Sequence, residues 1–139
     1  MIWAVALGLV VGIASVVGAR RIGGERWMYS ATLLLLPIIY IGFALVDGDG
    51  SIGVKELLVG LPWILGGLAA LFLSLPRTAI LVGGLWILHG VFDVAHDQFF
   101  TNPGVPDWYP AACAGTDLVI GGYLLWLATR LQSADLRTA

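Results

Sequence analysis

Five apolar runs, each about as long as a bilayer is thick, constrain this chain more than any other feature. They are Ile2–Ala19, Trp27–Val46, Leu57–Leu75, Thr78–Phe99 and Pro110–Thr129. A transmembrane helix needs about 20 mostly apolar residues. In lipid, a backbone without water must satisfy its own hydrogen bonds, which leaves helices as the form for such runs. The runs are separated by Arg20-Arg21 and Gly23-Gly24, by Asp47-Gly48-Asp49-Gly50, by Pro76-Arg77, and by the proline-rich stretch Thr101–Tyr109. The expectation is an all-α integral membrane bundle of five helices, one domain over residues 1–139.

Composition supports lipid as the solvent. The chain is 59% hydrophobic and 12% charged, against roughly a quarter charged in soluble domains. A soluble domain this small buries only about 60–70% of its chain and could not hide so much apolar surface. The formal charge of −2 argues against nucleic acid, which calls for a basic stripe. One cysteine, Cys113, excludes an internal disulfide. The first run reads as a span rather than a signal peptide, because it lacks a basic n-region and Arg20-Arg21 follow it at once.

The basic residues set the expected orientation. Arg20, Arg21, Arg26, Arg77, Arg130 and Arg137 fall on one side of the five runs, and Lys55 falls on the other. The positive-inside rule then puts the N-terminus outside and the C-terminus in the cytoplasm. Trp3, Trp63 and Trp108 belong to the outer boundary on this reading, and Trp27 and Trp126 to the inner one. The expected location is the cell membrane, specifically a bacterial cytoplasmic membrane. Gly8 and Gly12 form a GxxxG step, and Gly66-Gly67, Gly83-Gly84 and Gly121-Gly122 thin other spans. Small residues let helices approach closely in lipid, within the chain or in a homo-oligomer.

Chemistry concentrates in the fourth run. At 100° per residue, His89, Asp93 and His96 share one arc, with Asp97 at its edge and Trp86 one turn below. A charged residue at mid-membrane costs about 2.5–3.5 kcal/mol, and such residues usually face the bundle interior and serve a function. On the fifth run, Cys113 and Asp117 share a face. The two runs are joined by a short loop, so they should pack antiparallel with His89 level with Asp117 and Asp93 opposite Cys113. Tyr40 lies at comparable depth on the second run.

Three readings remain open. In the first, His89, Asp93 and Asp117 form an acid–base set. Trp86 is then a cation-stabilising wall, and Tyr40, Cys113, Trp108 and Tyr109 line a substrate cavity opening outward between the fourth and fifth helices. The second is a divalent metal held by Asp93, His96 and Asp97, or by His89, Asp93 and Asp117, in a binding or transport module. The third is structural, with His89–Asp117 a hydrogen bond between helices. The partners expected are the bilayer and a hydrophobic small molecule or lipid.

One further pattern lies outside these runs. Asp47-Gly48-Asp49-Gly50-Ser51-Ile52-Gly53-Val54-Lys55-Glu56 resembles positions three to twelve of an EF-hand loop, with Asp47, Asp49, Ser51 and Glu56 as the calcium ligands. Leu45 stands where the first Asp ligand belongs.

The run His89-Gly90-Val91-Phe92-Asp93-Val94-Ala95-His96, followed by Trp108-Tyr109-Pro110, Cys113 and Asp117, resembles a family of small bacterial multi-span membrane proteins of unknown function. That resemblance covers Trp86–Asp117 and implies no activity. His89 with Asp93 is also similar to the His-x-x-x-acid step of emopamil-binding-type sterol isomerases. This second likeness, like the chemistry of integral-membrane terpene cyclases, implies acid–base catalysis on a terpenoid or lipid-like substrate.

Overall fold

The computed structural model describes residues 2–138, with side chains through Ser133; Arg137 lies outside the described side chains. Among these residues the chain forms five helices: α1 (Ile2–Ile22), α2 (Met28–Val46), α3 (Gly50–Ala70), α4 (Leu75–Phe99) and α5 (Tyr109–Thr138). All five are long and apolar enough to cross a membrane. Large apolar side chains such as Val10, Ile13, Leu58, Leu88 and Val94 stand exposed on the outside of the bundle, as lipid-facing positions should.

Several boundaries differ from the expectation. The third helix begins at Gly50 rather than Leu57 and ends at Ala70 rather than Leu75. The cause is local: the Asp49 carboxylate accepts hydrogen bonds from Ser51 N at 2.8 Å and Ile52 N at 3.2 Å. That N-cap satisfies two orphan donors and starts the helix seven residues early. The first helix runs on to Ile22, where Gly23 takes a positive φ of 63° and closes it as a left-handed C-terminal residue. The last helix continues past Thr129, where the fifth apolar run ends, to Thr138.

The connectivity leaves one end of the bundle with Asp47, Asp49, Asp97 and Asp107, here the acidic end. The other holds Arg20, Arg21, Arg77 and Arg130, here the arginine end. Helix α5 packs antiparallel to α4 and parallel to α1, and α4 in turn meets α2 and α3. Glycines make these contacts possible. A Cβ on Gly8 would lie 1.9 Å from the Ala112 carbonyl oxygen, and one on Gly12 would lie 2.8 Å from Val119 Cβ. The GxxxG step is therefore used inside the chain, against α5. A second unit is the α2–α3 hairpin, in which Gly60 seats Pro37 and Gly67 seats the Ser30 carbonyl.

The hairpin meets α4 at a seam filled by side chains rather than by close backbone contact. Tyr29, Tyr40, Trp63, Trp86 and Leu33 are buried there. Trp63, expected at the membrane boundary, is only 8% exposed, and its indole N–H donates to the Leu85 carbonyl at 3.0 Å. The apolar environment leaves that N–H no solvent partner, so it takes the carbonyl of the facing helix. The other tryptophans mark the ends: Trp3 stacks on Trp108 at 6.1 Å, while Trp27 and Trp126 stand half-exposed toward the arginine end.

Candidate functional site

The buried face of α4 carries Trp86, His89, Gly90, Asp93 and His96, and two polar clusters form along it. The deeper one joins three helices. His89 Nδ1 lies 2.8 Å from Asp117 Oδ2 on α5 and 3.3 Å from Asp93 Oδ2 one turn along α4. Gly90 makes this meeting possible, because a Cβ there would sit 3.1 Å from Asp117 Cβ. From α2 the Tyr40 hydroxyl donates to Asp93 Oδ1 at 2.8 Å. His89, Asp93 and Asp117 are each no more than 2% exposed.

Counting protons defines the electrostatics of this cluster. With Asp117 ionised, its carboxylate only accepts, and the hydrogen bond places a proton on His89 Nδ1. In the neutral imidazole that leaves Nε2 as the lone-pair nitrogen, with no hydrogen-bond partner among the described residues. Asp93 Oδ2, 3.3 Å from the same nitrogen, is buried without a hydrogen bond of its own, a costly condition in a low-dielectric interior. The three ligand-type atoms lie within 4.8 Å of one another.

The aromatic surroundings differ from the expectation. Trp86 is not the wall of the site: it lies toward the arginine end, edge-on to Tyr29 at 6.3 Å. The ring nearest His89 is Trp63, perpendicular at 5.2 Å, followed by Phe92 at 6.2 Å and Tyr40 at 6.5 Å. Tyr109 covers the site toward the acidic end, with its ring 5.7 Å from Tyr40 and 4.9 Å from Phe43. Cys113 is half-buried beside Tyr109. Trp108 packs on Trp3 at the boundary and is 39% exposed.

The second cluster lies two turns along α4. His96 Nε2 is 2.9 Å from Glu56 Oε1 on α3. Asn102, in the α4–α5 loop, donates to the same Glu56 oxygen at 2.7 Å and to the Tyr40 carbonyl at 3.1 Å. The Tyr40 ring lies 4.9 Å from that of His96, so Tyr40 touches both clusters. Asp97 is largely solvent-exposed, 3.6 Å from His96 Nδ1. The expected metal set of Asp93, His96 and Asp97 is therefore not assembled: its members face Tyr40, Glu56 and solvent respectively.

The EF-hand pattern is also overturned. Gly50–Glu56 forms the first turns of α3 rather than a loop. Asp49 is spent on the N-cap, where the Ser51 hydroxyl and the amides of Ile52 and Ser51 hold its carboxyl below the usual carboxylate range. Glu56 points inward at 2% exposure, so Asp47, Asp49, Ser51 and Glu56 do not converge on one ion. The glycine row carried the signal for this burial. Gly53, Gly60 and Gly67 share a buried face of α3 with Glu56 and Trp63.

A cleft of about 330 Å³ opens at the acidic end, lined by Asp97, Asp107, Asn102 and loop prolines, and His89 is not among its lining residues. No protein-family model, curated protein or solved structure matches this chain.

Proposed function

We propose that the chain is a multi-pass membrane enzyme that uses His89, Asp93 and Asp117 for acid–base chemistry on a lipid-like or terpenoid substrate. The observation that carries this reading is the orientation of His89. His89 Nδ1 faces Asp117 Oδ2 at 2.8 Å; an ionised Asp117 accepts from Nδ1–H and leaves Nε2 of the neutral imidazole free, the arrangement by which a carboxylate orients a general base. Nε2 abstracts or returns the substrate proton, and Asp117 stabilises the imidazolium that forms. Asp93, ordered by Tyr40, supplies a second carboxyl within reach of the same imidazole. Trp63 and Phe92 wall the site with rings whose faces favour developing positive charge.

The test is direct. Purified wild-type protein and His89→Gln are incubated with fractionated membrane lipids and isoprenoids, and the products are compared by mass spectrometry. Wild type should convert at least one species to an isomer or hydrate, and His89→Gln should not.

A second reading rests on Asp93 Oδ2. A buried carboxylate oxygen without a donor, with His89 Nδ1 and Asp117 Oδ2 close by, is a donor set suited to a divalent metal. Elemental analysis of protein purified without chelator distinguishes the two, because a metal in molar ratio that Asp93→Asn removes favours this reading.

The arginine end faces the cytoplasm on this account, because Arg20, Arg21, Arg77 and Arg130 lie there and Lys55 lies at the other. That orientation puts the N-terminus outside and suits a bacterial cytoplasmic membrane.

A further inference from the structure

Between α3 and α4 a lipid-facing groove of about 310 Å³ is lined by Pro62, Trp63, Leu85, Leu88, Phe92 and Phe99. All of these are apolar. Two of them, Trp63 and Phe92, are also the rings packed on His89. Groove and polar site thus share a wall one ring thick. Trp63 is tied to Leu85 by its indole N–H. Phe92 has no polar anchor, is only half-buried, and touches His96 as well, at 5.3 Å.

A competing groove of about 340 Å³ between α4 and α5 contains Gly90 and Ala114. There the site is walled by packed helix backbone, since a Cβ at Gly90 would already press on Asp117 and Ala114. A side chain can change rotamer on a nanosecond scale, whereas packed helices move collectively and more slowly. The α3–α4 groove is therefore the side on which the site can open.

Its dimensions and charge describe an occupant. From Leu85 to Phe99 the groove spans about 21 Å of α4, enough to run from mid-bilayer to the interface in a hydrocarbon core about 30 Å thick. At its interfacial end stands Lys55, the one lysine or arginine at the acidic end among the described residues, 5.9 Å from the Phe100 ring. Lys55 is seven residues before Pro62 and hence on the same face of α3.

We propose that this groove binds a single-chain anionic amphiphile, tail along α4 and head at Lys55, and that Phe92 is the gate between the tail and His89. The proposal rests on the acid–base reading for the use of the bound chain, but occupancy can be measured without turnover.

The probe is hexadecanoic acid carrying a mid-chain diazirine, photolysed with the protein in phosphatidylcholine nanodiscs, with adducts mapped by tandem mass spectrometry. Adducts should concentrate on Leu85, Leu88, Phe92 and Phe99 over the lipid-exposed Val10 and Ile13 of α1. Lys55→Gln should lower the yield about fivefold, the factor for one interfacial lysine–anion attraction. The corresponding amine-headed chain should show no enrichment. Leu88→Trp, on the exposed rim, should block the groove without disturbing the core. Phe92→Ala should carry adducts inward to His89 and Asp93. Uniform labelling of lipid-facing positions, or a yield indifferent to Lys55→Gln, overturns the proposal. His89→Gln should leave the groove labelling intact, so loss of turnover and loss of occupancy are separate results.

Discussion

Glu56 offers the sharpest structural prediction, because sequence pattern and structure assign it opposite environments. Its Oε1 accepts from Asn102 and faces His96 Nε2. Truncation in Glu56→Ala leaves His96 Nε2 without a buried partner, a loss of about 1–3 kcal/mol. Asn102 keeps the Tyr40 carbonyl and forfeits its bond to Glu56, which at the value of a membrane interhelical bond is about 0.6 kcal/mol. The sum is a destabilisation of about 2–4 kcal/mol. Glu56→Gln retains the acceptor and should cost about 1 kcal/mol or less, the difference between a charged and a neutral hydrogen bond. The assay is reversible unfolding by titrating sodium dodecyl sulfate into mixed micelles, with a double-mutant cycle against His96→Ala. The cycle should return a coupling above about 0.5 kcal/mol. A Glu56→Ala variant within about 0.5 kcal/mol of wild type, the range of ordinary surface substitutions, would falsify the buried placement. So would a cycle that is simply additive, or a wild-type stability that rises with calcium and loses that response in Glu56→Gln.

Three other expectations follow from particular contacts. Gly8→Ala drives a methyl group into the Ala112 carbonyl and should destabilise by about 1–3 kcal/mol, whereas Gly18→Ala, with open space around it, should be neutral or better in the same unfolding assay. The Asp49 carboxyl is held below its ordinary value, so its cap is fully present above about pH 4 and is lost as pH falls through the lowered value. Amide exchange at Ser51 and Ile52 should accelerate in that acid range in wild type, and Asp49→Asn should lose the acid step. For topology, Ser51→Cys should react with an impermeant thiol reagent on intact cells and Ser133→Cys should not; the reverse pattern overturns the orientation.

The five spans were legible because lipid demands length and apolarity, and both can be counted along a chain. The level meeting of His89 and Asp117 was legible for a similar reason: a short loop makes α4 and α5 antiparallel neighbours, and depth along a helix is arithmetic. Rotation about the helix axis was harder to read. On α3 nearly every face is apolar, so hydropathy does not say which way Glu56 and Trp63 point, and the Asp-Gly-rich stretch before them suggested a calcium loop. The phase lies in Gly53, Gly60 and Gly67, the small residues that let α2 approach. Trp86 shares the face of His89 one turn nearer the arginine end, as its spacing requires, but its ring there meets Tyr29.

The acid–base assignment is tested most directly by untargeted lipid profiling of cells expressing wild type or His89→Gln at equal levels of folded protein. The account predicts that at least one apolar or amphiphilic species is depleted, and an isomer or hydrate of it accumulates, in the wild-type cells alone. Identical profiles, with both proteins folded and embedded, would contradict a catalytic His89 and leave the cluster as a bond between helices.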